Sequence, residues 1–336
     1  MKNKINVLVV DDSPLMRDIL ISILNSDSSI EVVGTACNGM EAVKKAIALK
    51  PHVITMDLKM PLMSGMEALE KIMEDSPIPV IVVSTVERDV VFKALSVGAM
   101  DFILVSENVK MLAVDLIEKV KIASRVKPLR RMKISKSPAP KAVRKKGVDK
   151  IVVIGSSTGG PQALQVLLSQ LPSGFLAGVV IVQHMSEGFI EGLAQWLKTT
   201  SSLDVRVAAE GDVLKSSTVF LAPDGYNINI GTDGVVILSE TKTKKMVHIP
   251  SIDEMMKSAA CAYGKSAIGV ILTGMQNDGA EGIRAIKNAG GTTIAQDEET
   301  SVVFGMNRSA IKTGCVDKIV PLEKIAGEIV KAIRDI

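Results

Sequence analysis

Aromatic side chains are scarce in this sequence of 336 residues, where Phe, Tyr and Trp together make up only 3%. Hydrophobic residues nevertheless account for 47% of the chain, which is enough for two cores at a usual domain size of roughly 100–200 residues. The cores are therefore predicted to be aliphatic, with the 17 methionines filling irregular gaps.

Long apolar runs and cysteine clusters are also missing. No run reaches the roughly 18 apolar residues of a membrane-spanning helix, so membrane insertion is not expected. A predicted strand begins at Ile5, too early for a secretory signal peptide. The three cysteines show neither metal-ligand spacing nor a disulfide framework: Cys37, Cys261 and Cys315. We therefore expect reduced, buried thiols in a cytoplasmic protein.

Acidic residues are absent from one segment. Residues 124–148 hold ten Lys or Arg and no Asp or Glu, whereas residues 1–123 and 149–336 carry net charges of −4 and −3. The segment contains three prolines and no periodic pattern, which predicts a flexible basic linker between two domains. Nucleic-acid binding is not expected, because the segment has no aromatic residue to stack on bases and neither domain has a recognition motif.

Strand and helix patterns alternate five times in residues 1–123, which predicts an α/β domain with a doubly wound, flavodoxin-like parallel sheet. Asp11 and Asp12 follow the first predicted strand, and Asp57 follows the third. The carboxyl ends of parallel strands meet at one edge, so the three carboxylates should share a crevice. Such a set suits Mg²⁺, and one of them could be a phosphoacceptor. The alternative is a helix cap at Asp11 and Asp12 with Asp57 in a turn.

Several separate motifs in residues 4–122 resemble the receiver domain of response regulators. They are Val9-Val10-Asp11-Asp12-Ser13, Met56-Asp57-Leu58-Lys59-Met60-Pro61 and Val82-Val83-Ser84-Thr85. The resemblance implies that a histidine kinase phosphorylates Asp57. It also implies that Mg²⁺ is held by Asp11, Asp12, Asp57 and the carbonyl of Lys59.

The same resemblance implies a switch hydroxyl at Ser84 and a switch aromatic residue at Phe102. Three positions depart from the receiver pattern. Val105 and Ser106 stand where receivers have Lys-Pro, and Ser64 stands where Asp precedes glycine. The missing lysine should weaken the coupling between phosphorylation and conformational change, while the acidic cluster remains.

One stretch organises residues 149–336. It reads Ile151-Val152-Val153-Ile154-Gly155-Ser156-Ser157-Thr158-Gly159-Gly160-Pro161-Gln162. The β-branched run predicts a buried strand, the glycines a tight turn, and Pro161 the first turn of a helix. Ser157 thus lies at a strand–turn–helix corner and fits the G-x-S-x-G pattern of nucleophilic serines. A glycine-rich loop that binds phosphate fits this stretch equally well.

A nucleophilic serine needs a base and a group that orients the base. Of the three histidines, only His184 directly follows a predicted strand, as Ser157 does; the other two are His52 and His248. Asp278 follows a further strand, so all three can meet at one edge of a mostly parallel, Rossmann-like sheet that carries a hairpin. The alternatives are a core histidine at 184, and an aspartate at 278 that caps the predicted helix 279–289.

Four segments of residues 149–336 are similar to the chemotaxis protein-glutamate methylesterase family (CheB-type). They are Ile154 to Gly160, Gln183-His184-Met185, Leu272 to Ala280, and Ala295 to Met306. The resemblance implies Ser157 as nucleophile, His184 as general base and Asp278 as the orienting carboxylate. It further implies that Thr158 supports the histidine and that the Met275 N–H helps to form the oxyanion hole.

That family consists of a receiver, a linker and an esterase domain. The resemblance therefore implies phosphorylation-regulated hydrolysis of glutamate methyl esters on chemoreceptors, with glutamine deamidation as a second activity. Mg²⁺ is expected in the receiver alone, and no cofactor in the esterase.

Three positions depart from the esterase pattern. Gln276 replaces a glycine beside the expected oxyanion donor, Ile249 replaces an arginine, and Asn227 replaces a common histidine. The departures at Gln276 and Ile249, together with Val105 in the receiver, keep open a second hypothesis, a binding or phosphate-sink module with a decayed esterase. Dinucleotide binding is disfavoured, because the loop lacks G-x-G-x-x-G.

Overall fold

The computed structural model describes residues 4–84, 88–105, 109–126, 148–240 and 249–335. The chain divides into two compact units, Met1–Lys133 and Ile134–Ile336. Some of the residues discussed above lie outside the described ranges: Thr85, Ser106, His248 and most of the predicted linker, 127–147. The domain boundaries at 123 and 149 stay predictions.

The first unit contains a five-stranded parallel sheet in the order β2-β1-β3-β4-β5. Its strands are β1 (Ile5–Val10), β2 (Ile30–Ala36), β3 (Val53–Met56), β4 (Val80–Ser84) and β5 (Asp101–Leu104). Its helices are α1 (Pro14–Asn25), α2 (Gly39–Leu49), α3 (Gly65–Asp75), α4 (Arg88–Val97) and α5 (Val109–Ala123). The flavodoxin-like prediction is confirmed.

Ser64, the departure from the usual receiver aspartate, has a clear local role. Its hydroxyl accepts a hydrogen bond from the Glu67 N–H at 3.2 Å, and its own N–H donates to Glu67 Oε2 at 2.8 Å. This reciprocal pair satisfies two backbone donors at the start of α3. Serine therefore replaces aspartate here without loss of the helix cap.

The second unit contains a seven-stranded parallel sheet in the order β14-β13-β12-β6-β7-β9-β8, beside a two-stranded hairpin. The sheet strands are β6 (Ile151–Ser156), β7 (Gly178–Gln183), β8 (Asp204–Val207), β9 (Thr218–Leu221), β12 (Ala267–Ile271), β13 (Thr292–Gln296) and β14 (Lys318–Val320). The antiparallel hairpin is β10 (Tyr226–Ile230) and β11 (Val236–Glu240). The helices are α6 (Gly160–Gln170), α7 (Ile190–Thr200), α8 (Ile252–Tyr263), α9 (Ala280–Asn288), α10 (Met306–Lys312) and α11 (Leu322–Asp335).

Strand β6 lies at the centre of this sheet, between β12 and β7. All of its residues are buried, as its β-branched run predicts. A side chain at Gly155 would collide with Ile252, and Gly159 has φ of +76° where the chain turns into α6. Glycine is needed at both positions, first for close packing and then for the left-handed turn.

Two local predictions were wrong. The cysteines are free, but Cys261 is exposed and the other two are only half-buried. The sequence also predicts a capping box of Ser251 and Glu254 at the start of α8. It is half formed, because Ser251 Oγ accepts from the Glu254 N–H but the Glu254 carboxylate binds Lys257 at 3.1 Å. The Ser251 N–H instead donates to Asn227 Oδ1 on β10 at 2.8 Å, so a tertiary contact replaces a local one.

Among the helices that the structure describes, none is long and apolar enough to cross a membrane.

Candidate active site and phosphorylation site

Three neighbouring strands end at the proposed nucleophile. Ser157 directly follows β6, His184 follows β7, and Thr273 lies just beyond β12. The Ser157 N–H donates to the Thr273 carbonyl at 3.0 Å, and the His184 N–H donates to the Ser156 carbonyl at 2.9 Å. Parallel pairing therefore brings Thr273 and His184, which lie 116 and 27 positions from Ser157 in the sequence, to the same edge of the sheet as Ser157.

The His184 ring is held through its Nε2 atom. This nitrogen lies 3.1 Å from Asp278 Oδ2 and 3.1 Å from the Pro250 carbonyl oxygen. Both neighbours are hydrogen-bond acceptors, so Nε2 must carry the ring proton. In the neutral imidazole Nδ1 is then the basic nitrogen, which is the atom that can take a proton from a nucleophile.

Asp278 does not cap its own helix, contrary to the alternative considered from the sequence. Its carboxylate accepts hydrogen bonds from the backbone N–H groups of Ile252 and Asp253, at 2.8 and 3.0 Å, at the start of α8. Burial alone would raise the pKa of Asp278, but the hydrogen bonds from His184 and from these N–H groups outweigh burial and lower it. The carboxylate beside His184 is therefore held ionised.

Asp253 in turn caps α9, the helix that follows Asp278. Its Oδ1 accepts from the Gly279 N–H at 2.9 Å and from the Gly282 N–H at 2.7 Å, at the start of α9. Burial and the neighbouring charge of Asp278 raise the pKa of Asp253. Each carboxylate thus caps the helix of the other, and the Asp278 backbone is fixed between two helix ends.

The loop after β12 packs against the serine. The Gly274 carbonyl accepts from the N–H groups of Gly305 and Met306, each at 3.0 Å. A Cβ atom at Gly274 would lie 2.9 Å from Ser157 Cβ, so only glycine allows this approach. The backbone of Met275 therefore follows a glycine that packs close beside Ser157, and its role as an oxyanion donor stays a prediction.

Thr158 is tied to this loop through its main chain, because its carbonyl accepts from Thr273 Oγ1 at 2.9 Å. The proposed support of His184 by the Thr158 side chain stays a prediction.

Gln276 has φ of +65°, the left-handed conformation that favours glycine. The strain inferred for this replacement of glycine is therefore present. The next residue but one is Asp278, so the strain lies within the loop that carries both the expected oxyanion donor and the orienting carboxylate.

Replacing Gln276 with glycine should stabilise the protein by about 0.5–1 kcal/mol, because relief of strain exceeds the added entropy of the unfolded chain. The matched control is Gln195→Gly on the exposed face of α7, which should destabilise by about 1 kcal/mol. Urea unfolding of both variants measures the two effects. A loss of stability at position 276 equal to that at 195 would show that the loop carries no strain.

The first unit gathers its acidic residues at the carboxyl ends of β1 and β3. Ser84 Oγ, at the end of β4, donates to Asp57 Oδ1 at 2.5 Å. Burial raises the pKa of Asp57. Burial, together with the charges of Asp57 and Asp12, raises the pKa of Asp11 to about 6. The raised pKa values show that nearby positive charge does not offset the burial and mutual repulsion of these carboxylates.

A hard cation fits this donor set. The described residues contain no group of three or more His, Cys, Asp or Glu side chains arranged as a ready metal cage. Mg²⁺ does not require one, since it usually keeps several waters and takes only one or two carboxylates. Asp11 is buried and Asp57 half-buried, and both are candidates, whereas Asp12 is exposed. A cation here would also relieve the repulsion that raises the pKa of Asp11.

The expected switch aromatic residue, Phe102, is buried at 3% exposure. Lys119 on α5 donates to the Phe102 carbonyl at 2.5 Å, and its Nζ lies 5.4 Å from the centre of the Phe102 ring. Val105 is half-buried at the end of β5, and Lys59 is exposed. The sequence reasoning missed Lys119, because only the fold brings α5 against β5.

The family models match both units. Residues 152–329 match the CheB methylesterase model, and residues 7–115 match the response regulator receiver domain model. A protein-glutamate methylesterase/protein-glutamine glutaminase of Pyrococcus horikoshii is 42% identical, with 99% of this chain and 95% of the relative covered. The chain belongs to this methylesterase family.

Two further family members support the assignment. The Thermotoga maritima methylesterase/glutaminase is 41% identical over 98% of both chains. The crystal structure of the catalytic domain of Thermotoga maritima CheB methylesterase is 42% identical, with a TM-score of 0.52. It covers 56% of this chain and 98% of that domain. The family is thus one of hydrolases that carry a receiver domain.

Several residues of the methylesterase site were not singled out from the sequence. Pro250 accepts from His184 through its carbonyl, Asp253 caps α9, and Gly274 makes room beside Ser157. Gln183 was quoted only as part of a motif. Every residue type has a backbone carbonyl, and many types can cap a helix, so the sequence does not show which residues do so. The only usable indication in the sequence was that Gln183 is adjacent to His184.

Proposed function

We propose that this chain hydrolyses the methyl esters of glutamate side chains on chemoreceptors, with Ser157 as nucleophile, His184 as general base and Asp278 as orienting carboxylate. The supporting observation is the position of His184 Nε2 between Asp278 and Pro250 at the strand end beside Ser157. That contact makes Nδ1 the basic nitrogen of a neutral ring. Phosphorylation of Asp57 regulates the reaction.

In the first step Ser157 Oγ attacks the ester carbonyl carbon while its proton passes to His184 Nδ1. The ring becomes a cation, which the ionised carboxylate of Asp278 stabilises. The carbonyl oxygen becomes an oxyanion that accepts from backbone N–H groups, with the Met275 N–H as the expected donor. The C–O bond to the methoxy group then breaks, and His184 returns the proton to release methanol.

In the second step water replaces methanol. His184 takes a proton from water, the hydroxide attacks the acyl carbon, and the proton goes to Ser157 Oγ as the bond to the serine breaks. The product leaves as glutamic acid and loses its remaining proton to water. A glutamine side chain enters the same sequence with ammonia as leaving group. Deamidation therefore needs no residues beyond those that hydrolyse the ester.

The first unit receives a phosphoryl group from a histidine kinase. The carboxylate of Asp57 is the acceptor, and Asp11, Asp12 and the Lys59 carbonyl are the remaining residues that would hold Mg²⁺. When bound, the cation screens the charge of the phosphoryl oxygens. Ser84, which already bonds Asp57, is the hydroxyl that would follow the phosphoryl group.

Release of methanol from receptor membranes that carry methylated glutamates tests this function. The second hypothesis, a binding or phosphate-sink module with a decayed esterase, is motivated by Gln276, Ile249 and Val105. It predicts receptor binding or phosphorylation without methanol, whereas the proposed function predicts steady turnover that stops when Ser157 is replaced.

Val105 should limit how strongly phosphorylation activates the esterase. A phosphoryl group on Asp57 adds about −2 charge to a crevice of carboxylates. The contact that a lysine would make with the phosphoryl group is worth roughly 1.5–3 kcal/mol. Phosphorylation can shift the equilibrium between the inactive and active forms only by the difference between its interaction energies with the two forms. We expect acetyl phosphate to label Asp57 yet raise methanol release less than about threefold, and Val105→Lys to increase that stimulation about tenfold.

The matched control is Val114→Lys on the exposed face of α5, which adds the same charge to the same unit. It should leave the stimulation unchanged. Strong activation of the unmodified protein, lost in Asp57→Ala, would show that another group carries the coupling.

A further inference from the structure

One buried side-chain amide lies between the proposed nucleophile and base. Gln183 is the last residue of β7 and is 3% exposed. Its Nε2 donates to the Ser157 carbonyl at 2.9 Å and to the His184 carbonyl at 2.7 Å. Its Oε1 accepts from Ser156 Oγ at 2.6 Å. The amide therefore contacts the main chain of both residues.

The orientation of this amide is fixed by its partners. The carbonyl oxygens of Ser157 and His184 can only accept, so the NH₂ group must face them. A Cβ atom at Gly160 would collide with Gln183 Oε1, so the first turn of α6 also packs on the amide. Every polar atom of the amide has a partner, and a fully satisfied buried network is rigid.

The amide continues the sheet where its ladder ends. The last paired residues of β6 and β7 are Ser156 and Gln183. Beyond them the two strands diverge, Ser157 into the turn before α6 and His184 into a loop. The amide of Gln183 holds the next two carbonyls together as a further ladder bond would.

We infer that Gln183 is a positioning residue, whose amide sets the distance and direction between the Ser157 and His184 side chains through their main-chain carbonyls. It touches neither substrate nor reacting atoms. This inference rests on the proposed function, because it concerns the geometry of that nucleophile and base. A purely structural amide would affect only the folded fraction, whereas a positioning amide affects the chemical step in folded protein.

The full-length variants Gln183→Met and Gln183→Glu test this role, since both keep the shape of the side chain and remove the two donors. We expect kcat for methanol release to fall about 100-fold, as expected for reacting groups displaced by about 1 Å, with KM changed less than about threefold. The phosphonylation rate of Ser157 by a fluorophosphonate, followed by mass spectrometry, should fall by the same factor. Wild-type kcat in folded Gln183→Met would overturn the inference.

The matched control is Thr293→Val near the amino end of β13, the other end of the sheet. The Thr293 hydroxyl is fully buried, donates to the Cys315 carbonyl at 2.6 Å and accepts from the Asp317 N–H at 2.9 Å. Its loss should lower the thermal midpoint without changing kcat per folded molecule. An equal loss of kcat in this control would also overturn the inference.

A milder variant decides the case if the Gln183 variants do not fold. Ser156→Ala removes only the hydroxyl that orients the amide, and we expect kcat to fall about fivefold to tenfold with KM unchanged. An unchanged kcat would overturn the inference. Failure of the proposed function would differ from both outcomes, since the unmodified protein would then release no methanol, or Ser157→Ala would retain its turnover, and no fluorophosphonate label would appear on Ser157.

Discussion

Replacing Ser157 with alanine is expected to lower methanol release from methylated receptors by about 10⁴-fold or more, because the buried hydroxyl of the neighbouring Ser156 is bound to Gln183 Oε1 and cannot take its place. The substitution removes only Oγ. The Cβ atom remains, and the Ser157 N–H and carbonyl keep their hydrogen bonds to Thr273 and Gln183. The thermal midpoint should therefore stay near that of the unmodified protein.

The matched control for this variant is Ser169→Ala on α6, the helix that Ser157 precedes. Its hydroxyl is buried and donates only within the helix, to the Val166 carbonyl at 2.8 Å. Turnover should be unchanged. Retention of wild-type turnover in Ser157→Ala would remove the nucleophile assignment and, with it, the mechanism proposed above.

Replacing Asp278 with asparagine should lower kcat by about 10³–10⁴-fold. Asp278 Oδ1 accepts from the Asp253 N–H, whereas Oδ2 lies against both the Ile252 N–H and His184 Nε2. We expect the amide oxygen to take the place of Oδ1, where it still accepts from the start of α8. The NH₂ group then faces His184 Nε2 and offers a proton where a carboxylate accepted one. This favours the tautomer with the proton on Nδ1, which can no longer act as base.

The protein should remain folded, because the asparagine oxygen still caps α8. Asp317→Asn is the control, since this carboxylate pairs with Lys287 and accepts from the Thr293 N–H away from the site. It should cost stability without loss of kcat per folded molecule. Nitrogen-15 spectra of His184 would report the tautomer directly, and an unaltered Nε2–H in active Asp278→Asn would contradict the role given to the carboxylate.

The order and type of the elements could be predicted from the sequence. Alternation of β-branched runs with amphipathic segments determines two parallel sheets, because each pattern reports which faces of a segment are buried. The corner at Ser157 was also predictable, since Gly159 and Pro161 restrict the local backbone. The carboxyl ends of parallel strands share an edge, so the approximate meeting of Ser157, His184 and Asp278 followed as well.

The contacts that orient those residues depend on the tertiary structure. Asp278 was considered as a cap for its own helix, yet it caps α8, which begins 26 residues earlier in the chain. The proton on His184 is held partly by Pro250, through a carbonyl that every residue type possesses. The amide of Gln183 donates to the carbonyls of Ser157 and His184, which only the pairing of β6 with β7 brings together.

The physical reason is the range of the interactions. Periodicity and turn preferences act within a few residues, so they appear in the sequence itself. Caps, carbonyl acceptors and buried amides act between segments whose separation is decided by packing, and backbone groups carry no residue-specific signal. The sequence by itself therefore determined the two folds and the chemical groups available in this protein. Only the tertiary structure decided the orientation and the hydrogen-bond partners of each group.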